Sequence, residues 1–169
     1  MKKIILIATI LCLHLSLVFS QSQDLNIGTI APDIRLPNLK GDTVTLSSLR
    51  GKIVLIDFWA SWCAPCLKEQ PKLAELYKKY KDSVFTVGKG FEIYGVSLDS
   101  KKTSWKSIIK KMNINWTQVS DLKFWVSPVT KKYNLQGLPF NVLIDGNGVI
   151  IAKNLHGVKL EQAIDKILI

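Results

Sequence analysis

Cysteine and histidine are scarce in this 169-residue sequence, which holds three of the first and two of the second. Zinc needs three or four ligands at defined spacing. Beyond residue 20 the chain offers Cys63, Cys66 and His156, the last about ninety residues further on. A metal site is therefore a weak reading, and no metal or other cofactor is expected. A secreted scaffold stapled by disulfides carries several pairs, and only one pair remains here. No glycine-rich phosphate loop, nucleic-acid signature, internal repeat or low-complexity tract occurs, so nucleic acid is not an expected partner.

What is present is ordinary for one globular domain: 47% hydrophobic and 21% charged residues. That length buries a sizeable core without help from disulfides. The formal charge of +10 falls to +8 without Lys2 and Lys3. Much of it lies in "YKKYK", "KKTSWKSIIKK" and "VTKKYN", a pattern of solvated helix faces. Such a basic surface favours an acidic partner or an anionic membrane face.

The first twenty residues read as a targeting segment. Lys2 and Lys3 precede the uncharged, mostly apolar "IILIATILCLHLSLVF", and Val18 and Ser20 fit the small residues before a cleavage site near Ser20–Gln21. The alternative is an uncleaved membrane anchor. The run of about 16 residues is short for a span of roughly 20, and His14 and Ser16 dilute it. Leu11 before Cys12 is too large for the usual lipidation site. Residues 1–20 are thus a signal peptide or anchor, and 21–169 the folded domain, placed outside the cytoplasm, in a periplasm-like compartment. It is either soluble after cleavage or attached to the membrane through its N-terminus.

With Cys12 removed in that segment, Cys63 and Cys66 stand alone. A bond closing so small a loop is a weak staple by the loop-entropy argument. The flanking pattern places the pair. "IVLIDFW" is a near-continuous apolar run, suited to a central strand buried on both faces. From Cys63 the pattern turns helical to about Tyr80. Before it, "IGTIAPDIRLPNLKGDTVTLSSLRGK" is a loop and short hairpin punctuated by Pro32, Pro37 and Gly41–Asp42. After it come a strand at "FEIYGVSLD" and a short helix at "SWKSIIKKM", with Asp99 or Ser100 available as cap. A short strand at "WTQVS" and a broken helical segment at "FWVSPVTKKYN" follow. "FNVLID" and "GVIIAKN" flank the hairpin signal Asp145–Gly146–Asn147–Gly148. A final helix at "KLEQAIDKIL" carries a stripe of Leu160, Ala163, Ile164, Ile167 and Leu168. The order predicts an α/β fold with a mixed central sheet flanked by helices.

"DFWASWCAPC", Pro71 five residues beyond Cys66, and "GLPFNVLIDGNG" together resemble the thioredoxin superfamily. The leading "APDIRLPNLKGDTVTLSSLRGK" is similar to extracytoplasmic thiol:disulfide oxidoreductases of the TlpA/ResA type. The resemblance runs from about Gly28 to the C-terminus. It implies a thioredoxin-like fold with an N-terminal β-hairpin extension and a Cys63–Cys66 redox couple. It also implies partners: disulfide-bearing exported proteins, with cytochrome c apoproteins among them, and a membrane electron donor or other thiol reductant. No histidine stands between the cysteines, unlike strongly oxidising relatives, which favours a reducing role.

Residue chemistry supports the couple independently. Positions i and i+3 share one side of a helix, within reach of a disulfide. At a helix start, unpaired N–H groups and the helix dipole favour the Cys63 thiolate, the attacking species in exchange. Cys66, one turn inward, can resolve the mixed disulfide. Pro65 suits the first turn. Trp59 and Trp62 can cover the pair, although Trp59 reads equally as a core aromatic. Asp57 interrupts an apolar strand, where a buried carboxylate is costly. By the resemblance it takes or delivers the Cys66 proton through water, the alternative being an exposed strand-end acid. Glu69 matches a glutamate that tunes the thiols in the TlpA/ResA group, the alternative being a solvated helix residue. Leu138–Pro139 matches the superfamily's cis-proline, whose preceding backbone pairs with the substrate chain, so Trp62, Leu138 and Pro139 are the substrate-binding candidates. Phe140 departs from the small hydroxyl residue common in relatives and can turn into the core instead. Pro71 matches the family's helix bend. A rival enzyme class is the peroxiredoxin-like peroxidase, with P-x-x-x-T-x-x-C at its reactive cysteine. Here Ile56 and Ala60 take the Pro and Thr places before Cys63, and Trp59 and Cys63 before Cys66; neither fits. A non-catalytic thioredoxin-like binding module is the third reading.

Overall fold

The computed structural model describes residues 25–169. The segment expected to act in targeting, with Cys12, lies outside them. The chain enters through the hairpin of β1 (Arg35–Pro37) and β2 (Thr43–Thr45), turned at Gly41 in the left-handed region (φ 98°). A 3-10 turn at Leu46–Leu49 leads into β3 (Ile53–Trp59), every residue of which is buried. Helix α1 (Ala64–Tyr80) follows and continues through Pro71, which has no N–H to donate to the Leu67 carbonyl. A small hairpin, β4 (Val84–Phe85) and β5 (Gly88–Lys89), precedes the buried β6 (Phe91–Ser97). Next come α2 (Lys102–Lys111), β7 (Gln118–Val119), a 3-10 turn at Phe124–Val126 and α3 (Pro128–Lys132). The chain closes with β8 (Phe140–Ile144), β9 (Ile150–Lys153) and α4 (Val158–Asp165).

The five-stranded sheet has the order β7-β6-β3-β8-β9, with β3 central. β6 runs parallel to β3 and β7 to β6, while β8 is antiparallel to β3 and β9 to β8. The sheet is therefore mixed, as the sequence order implies.

Strand alternation divides β3 between two apolar layers. Ile53, Leu55 and Trp59 pack with Leu73, Leu76 and Tyr80 of α1 and Leu160 and Ile164 of α4. Val54, Ile56 and Phe58 pack on the other face with Ala31, Ile34, Leu46 and Tyr133. Asp57 is in phase with Leu55 and Trp59, so its carboxylate points to the α1 face. The N-terminal extension covers the opposite face, held by Tyr133 and Tyr94 hydroxyls donating to the Pro32 and Val44 carbonyls.

Three local expectations change. The N-cap of α2 is Lys101, without a side-chain cap bond, because the Asp99 carboxylate is taken up by Ser61 and Ser97. Helix α4 ends at Asp165, and Leu168 leaves the apolar stripe to form a backbone bridge with Phe85. The β4–β5 hairpin has strands too short for a period-two pattern, and the sequence reading assigned nothing there.

Gly95 sits beside Asp57 on β3 and Gln118 on β7. A Cβ there would lie 2.2–2.6 Å from the Gln118 amide, which accepts a hydrogen bond from the buried Trp59 indole at 2.9 Å. Gly95→Ala is expected to cost about 1–3 kcal/mol in urea unfolding and to alter tryptophan fluorescence. An unchanged midpoint would show that Gln118 yields freely.

Candidate active site

Strand β3 delivers the chain to the sheet's end, and a four-residue turn carries it into α1. Asp99, buried after β6, fixes that turn: its carboxylate accepts from the Ser61 N–H at 3.0 Å and from the Ser61 hydroxyl. The Ser97 hydroxyl donates to the same carboxylate at 2.7 Å. Cys63 follows as the N-cap of α1, and its sulfur accepts from the Cys66 N–H at 3.3 Å. A free helix N–H thus points at the first sulfur, an arrangement that favours a thiolate there. The two cysteines are joined in a disulfide with Cα atoms 5.3 Å apart. Cys63 is 5% and Cys66 1% exposed, while Ala64 and Pro65 between them are exposed.

The Asp57 carboxyl is 3% exposed, so it is not an exposed strand-end acid. Its hydrogen-bonding neighbour is Gln70, one turn beyond Cys66 on α1, whose Nε2 donates over a long 3.5 Å. Among the described residues, Gln70 Oε1 has no hydrogen-bond partner. Desolvation pushes the Asp57 pKa up from 3.8 to about 7, the Gln70 contact pulls it down and the Glu69 charge adds to the rise. An acid in this position is half-ionised near neutral pH, the condition for efficient proton transfer.

Glu69 is not a freely solvated helix residue. Its two carboxylate oxygens lie 2.9 and 3.0 Å from Nδ1 of His156, on the turn between β9 and α4. Beside this pair a cleft of about 400 Å³ opens between α1 and α4, floored by Leu73, Leu76 and Leu160.

The peptide bond Leu138–Pro139 is cis. β8 pairs with β3 so that Phe140 lies opposite Phe58, which sets Pro139 beside Trp59 at the cysteine end of the sheet. Leu138 and Phe140 are partly buried, and the Phe140 ring lies 6.1 Å from Phe58 against the second apolar layer. Phe140 thus turns toward the core. Trp62 is 48% exposed and its ring contacts Phe124 at 5.2 Å, giving an apolar surface next to the disulfide. Trp59 is a core residue. Sequence reasoning did not find Gln70, the site role of Asp99, or the partnership of His156 with Glu69. Asp99 follows a strand and precedes a helix, which is also the position of a cap. Gln70 and His156 carry no local signature.

The fold, the bonded cysteine pair at a helix start and the cis-proline opposite define a thioredoxin-like thiol–disulfide oxidoreductase, an enzyme class. The chain belongs to the AhpC/TSA family, whose pattern matches residues 27–153. It is 32% identical over 155 residues to the thiol-disulfide oxidoreductase ResA of Bacillus cereus, covering 89% of this chain and 81% of that one. The ResA of Bacillus subtilis is 31% identical, with 87% and 76% covered. Among solved structures, the thioredoxin domain of a thiol-disulfide oxidoreductase from Bacteroides vulgatus superposes with a TM-score of 0.76 at 39% identity, covering 83% of this chain and 96% of that one. A thiol-disulfide oxidoreductase from Bacteroides fragilis gives 0.74 at 34%, covering 82% and 98%.

An acid whose folded pKa is raised holds its proton longer folded than unfolded. Stability contributed by the neutral acid is therefore full below about pH 4, falls as pH rises to about 7, and stays lost above. A rise of that size corresponds to a penalty on the order of 4 kcal/mol at most. Asp57→Asn is expected to be more stable than the parent at pH 8 by up to that amount, with a flatter stability profile between pH 4 and 7. Denaturant titrations across this range test it. Equal stability of the two proteins at pH 8 would show that the carboxylate is not desolvated.

Proposed function

We propose that this oxidoreductase reduces disulfides of exported client proteins outside the cytoplasm, with Cys63 as nucleophile and Cys66 as resolving thiol. The observation that carries the reading is the isolated Cys63–Cys66 pair at the start of α1, on the sheet face where Asp57 is buried. In the reduced enzyme the Cys63 thiolate attacks a client disulfide and expels one client thiolate. Asp57, ionised, takes the Cys66 proton through water. The Cys66 thiolate then attacks the Cys63 sulfur, expels the second client thiolate and leaves the enzyme disulfide. Two electrons pass to the client, and a membrane electron donor or another thiol reductant restores the dithiol.

Support for the reducing direction is the Ala64–Pro65 pair between the cysteines, which adds no positive partner for a thiolate. Support for the compartment is the N-terminal targeting pattern, with either cleavage or retention as an anchor. No helix among the described residues is long and apolar enough to cross a membrane. Clients of the cytochrome c apoprotein kind fit a reductase in that compartment. Trp62, the exposed Phe124 ring beside it and the Leu138–Pro139 backbone form the client-facing edge, and Glu69 tunes the thiols.

The reading predicts a reduction potential far below the roughly −120 mV of a strong oxidant. It also predicts catalysed insulin reduction, lost in Cys63→Ser. Cys66→Ser should accumulate a mixed disulfide with clients that Cys63→Ser does not form. A potential near −120 mV would reverse the assigned direction. Peroxide turnover by the purified protein without a helper would favour the peroxidase reading.

A further inference from the structure

His156 is held in place more firmly than a surface histidine requires. The turn that carries it is clamped by Asn141 of β8, the residue paired with Asp57 across the sheet. The Asn141 amide donates to the Leu155 carbonyl at 2.7 Å and accepts from the Leu155 N–H at 3.1 Å, and its own carbonyl accepts from the Asn154 N–H at 2.7 Å. Asn154 adopts a left-handed backbone (φ 52°), and its Oδ1 lies 3.0 Å from His156 Nε2. Nδ1 meanwhile faces both oxygens of Glu69. Both ring nitrogens therefore face oxygen acceptors.

Other charged groups line the same cleft. α1 presents Lys68, Glu69 and Lys72, and Lys72 is paired with Glu75 and with Glu161 of α4. Glu161 also holds Lys79. β3 contributes Asp57, and the turn contributes only His156 and Asn154. Among the described residues, His156 is the side chain that pairs with Glu69.

We propose that His156 is a positioning residue of the exchange reaction: it grips Glu69 by both oxygens and so holds that carboxylate in place next to Gln70, the side chain in contact with Asp57. Released from that grip, the Glu69 carboxylate would be free to oppose ionisation of Asp57 and so slow proton removal from Cys66. The inference rests on the reading of Asp57 as the proton acceptor in the resolving step. It adds to that reading the group that sets the acceptor's working range.

The test is single-turnover reduction of a small aromatic disulfide by the reduced protein, with the resolving step followed from pH 5 to 9. His156→Gln is expected to move the midpoint of the rising limb upward by on the order of half a unit, about a threefold slowing below the midpoint. His156→Arg keeps donors for both Glu69 oxygens and should restore the parent midpoint. Asp57→Asn, run alongside, should remove the limb. A limb that survives in Asp57→Asn would sink the proton-acceptor reading and this inference with it. A limb lost in Asp57→Asn but unmoved in His156→Gln, or moved equally by Gln and Arg, would overturn the role of His156 and leave the acceptor reading standing.

Discussion

The burial of one carboxyl group in the central strand is the constraint on which the site depends. Asp57 lies in a strand covered on both faces, between apolar residues that would by themselves make an ordinary core. Water cannot solvate its charge there, so the group is held near its own neutralisation point at about pH 7. A long contact from Gln70 offers only partial compensation. The protein thus keeps an unfavourable group in its interior, as proteins do where a functional group must be tuned.

Everything around that carboxyl is placed by more favourable interactions. The apolar face of α1 fixes the helix against the sheet and with it the height of Cys63 and Cys66. Asp99 fixes the preceding turn through Ser61, and the β3–β8 register fixes Pro139 beside it. Asn141 ties the His156 turn to the strand next to Asp57. The disulfide is therefore a short covalent link set into a frame that does not rely on it, consistent with the small entropic effect expected of so small a loop.

Much of this was legible in the sequence, and the reasons differ by element. The strand "IVLIDFW" showed itself because burial on both faces leaves no polar alternation, and the same pattern made Asp57 conspicuous. The helix start at Cys63 and the Asp145–Gly148 turn follow from local chemistry. The cis-proline came from resemblance, since no local rule distinguishes a cis from a trans bond at Leu138–Pro139. What stayed hidden depends on contacts across the fold. Asp99 bonds a residue 38 positions away, and Glu69 meets a histidine 87 positions away. In both cases the sequence offered a local explanation, a helix cap for Asp99 and a solvated helix residue for Glu69, while the partner in space was the one that mattered. The end of α4 was misjudged because Leu168 fits the helical stripe by spacing but is drawn into a backbone bridge with Phe85.

The central claim is that the Asp57 carboxyl is desolvated enough to titrate near neutrality. Carbon-13 NMR of the aspartate side-chain carboxyl carbons in the oxidised protein, followed from pH 3 to 9, measures this directly. The account predicts one aspartate resonance, missing in Asp57→Asn, with a midpoint near 7. A midpoint close to the ordinary 3.8 would contradict it.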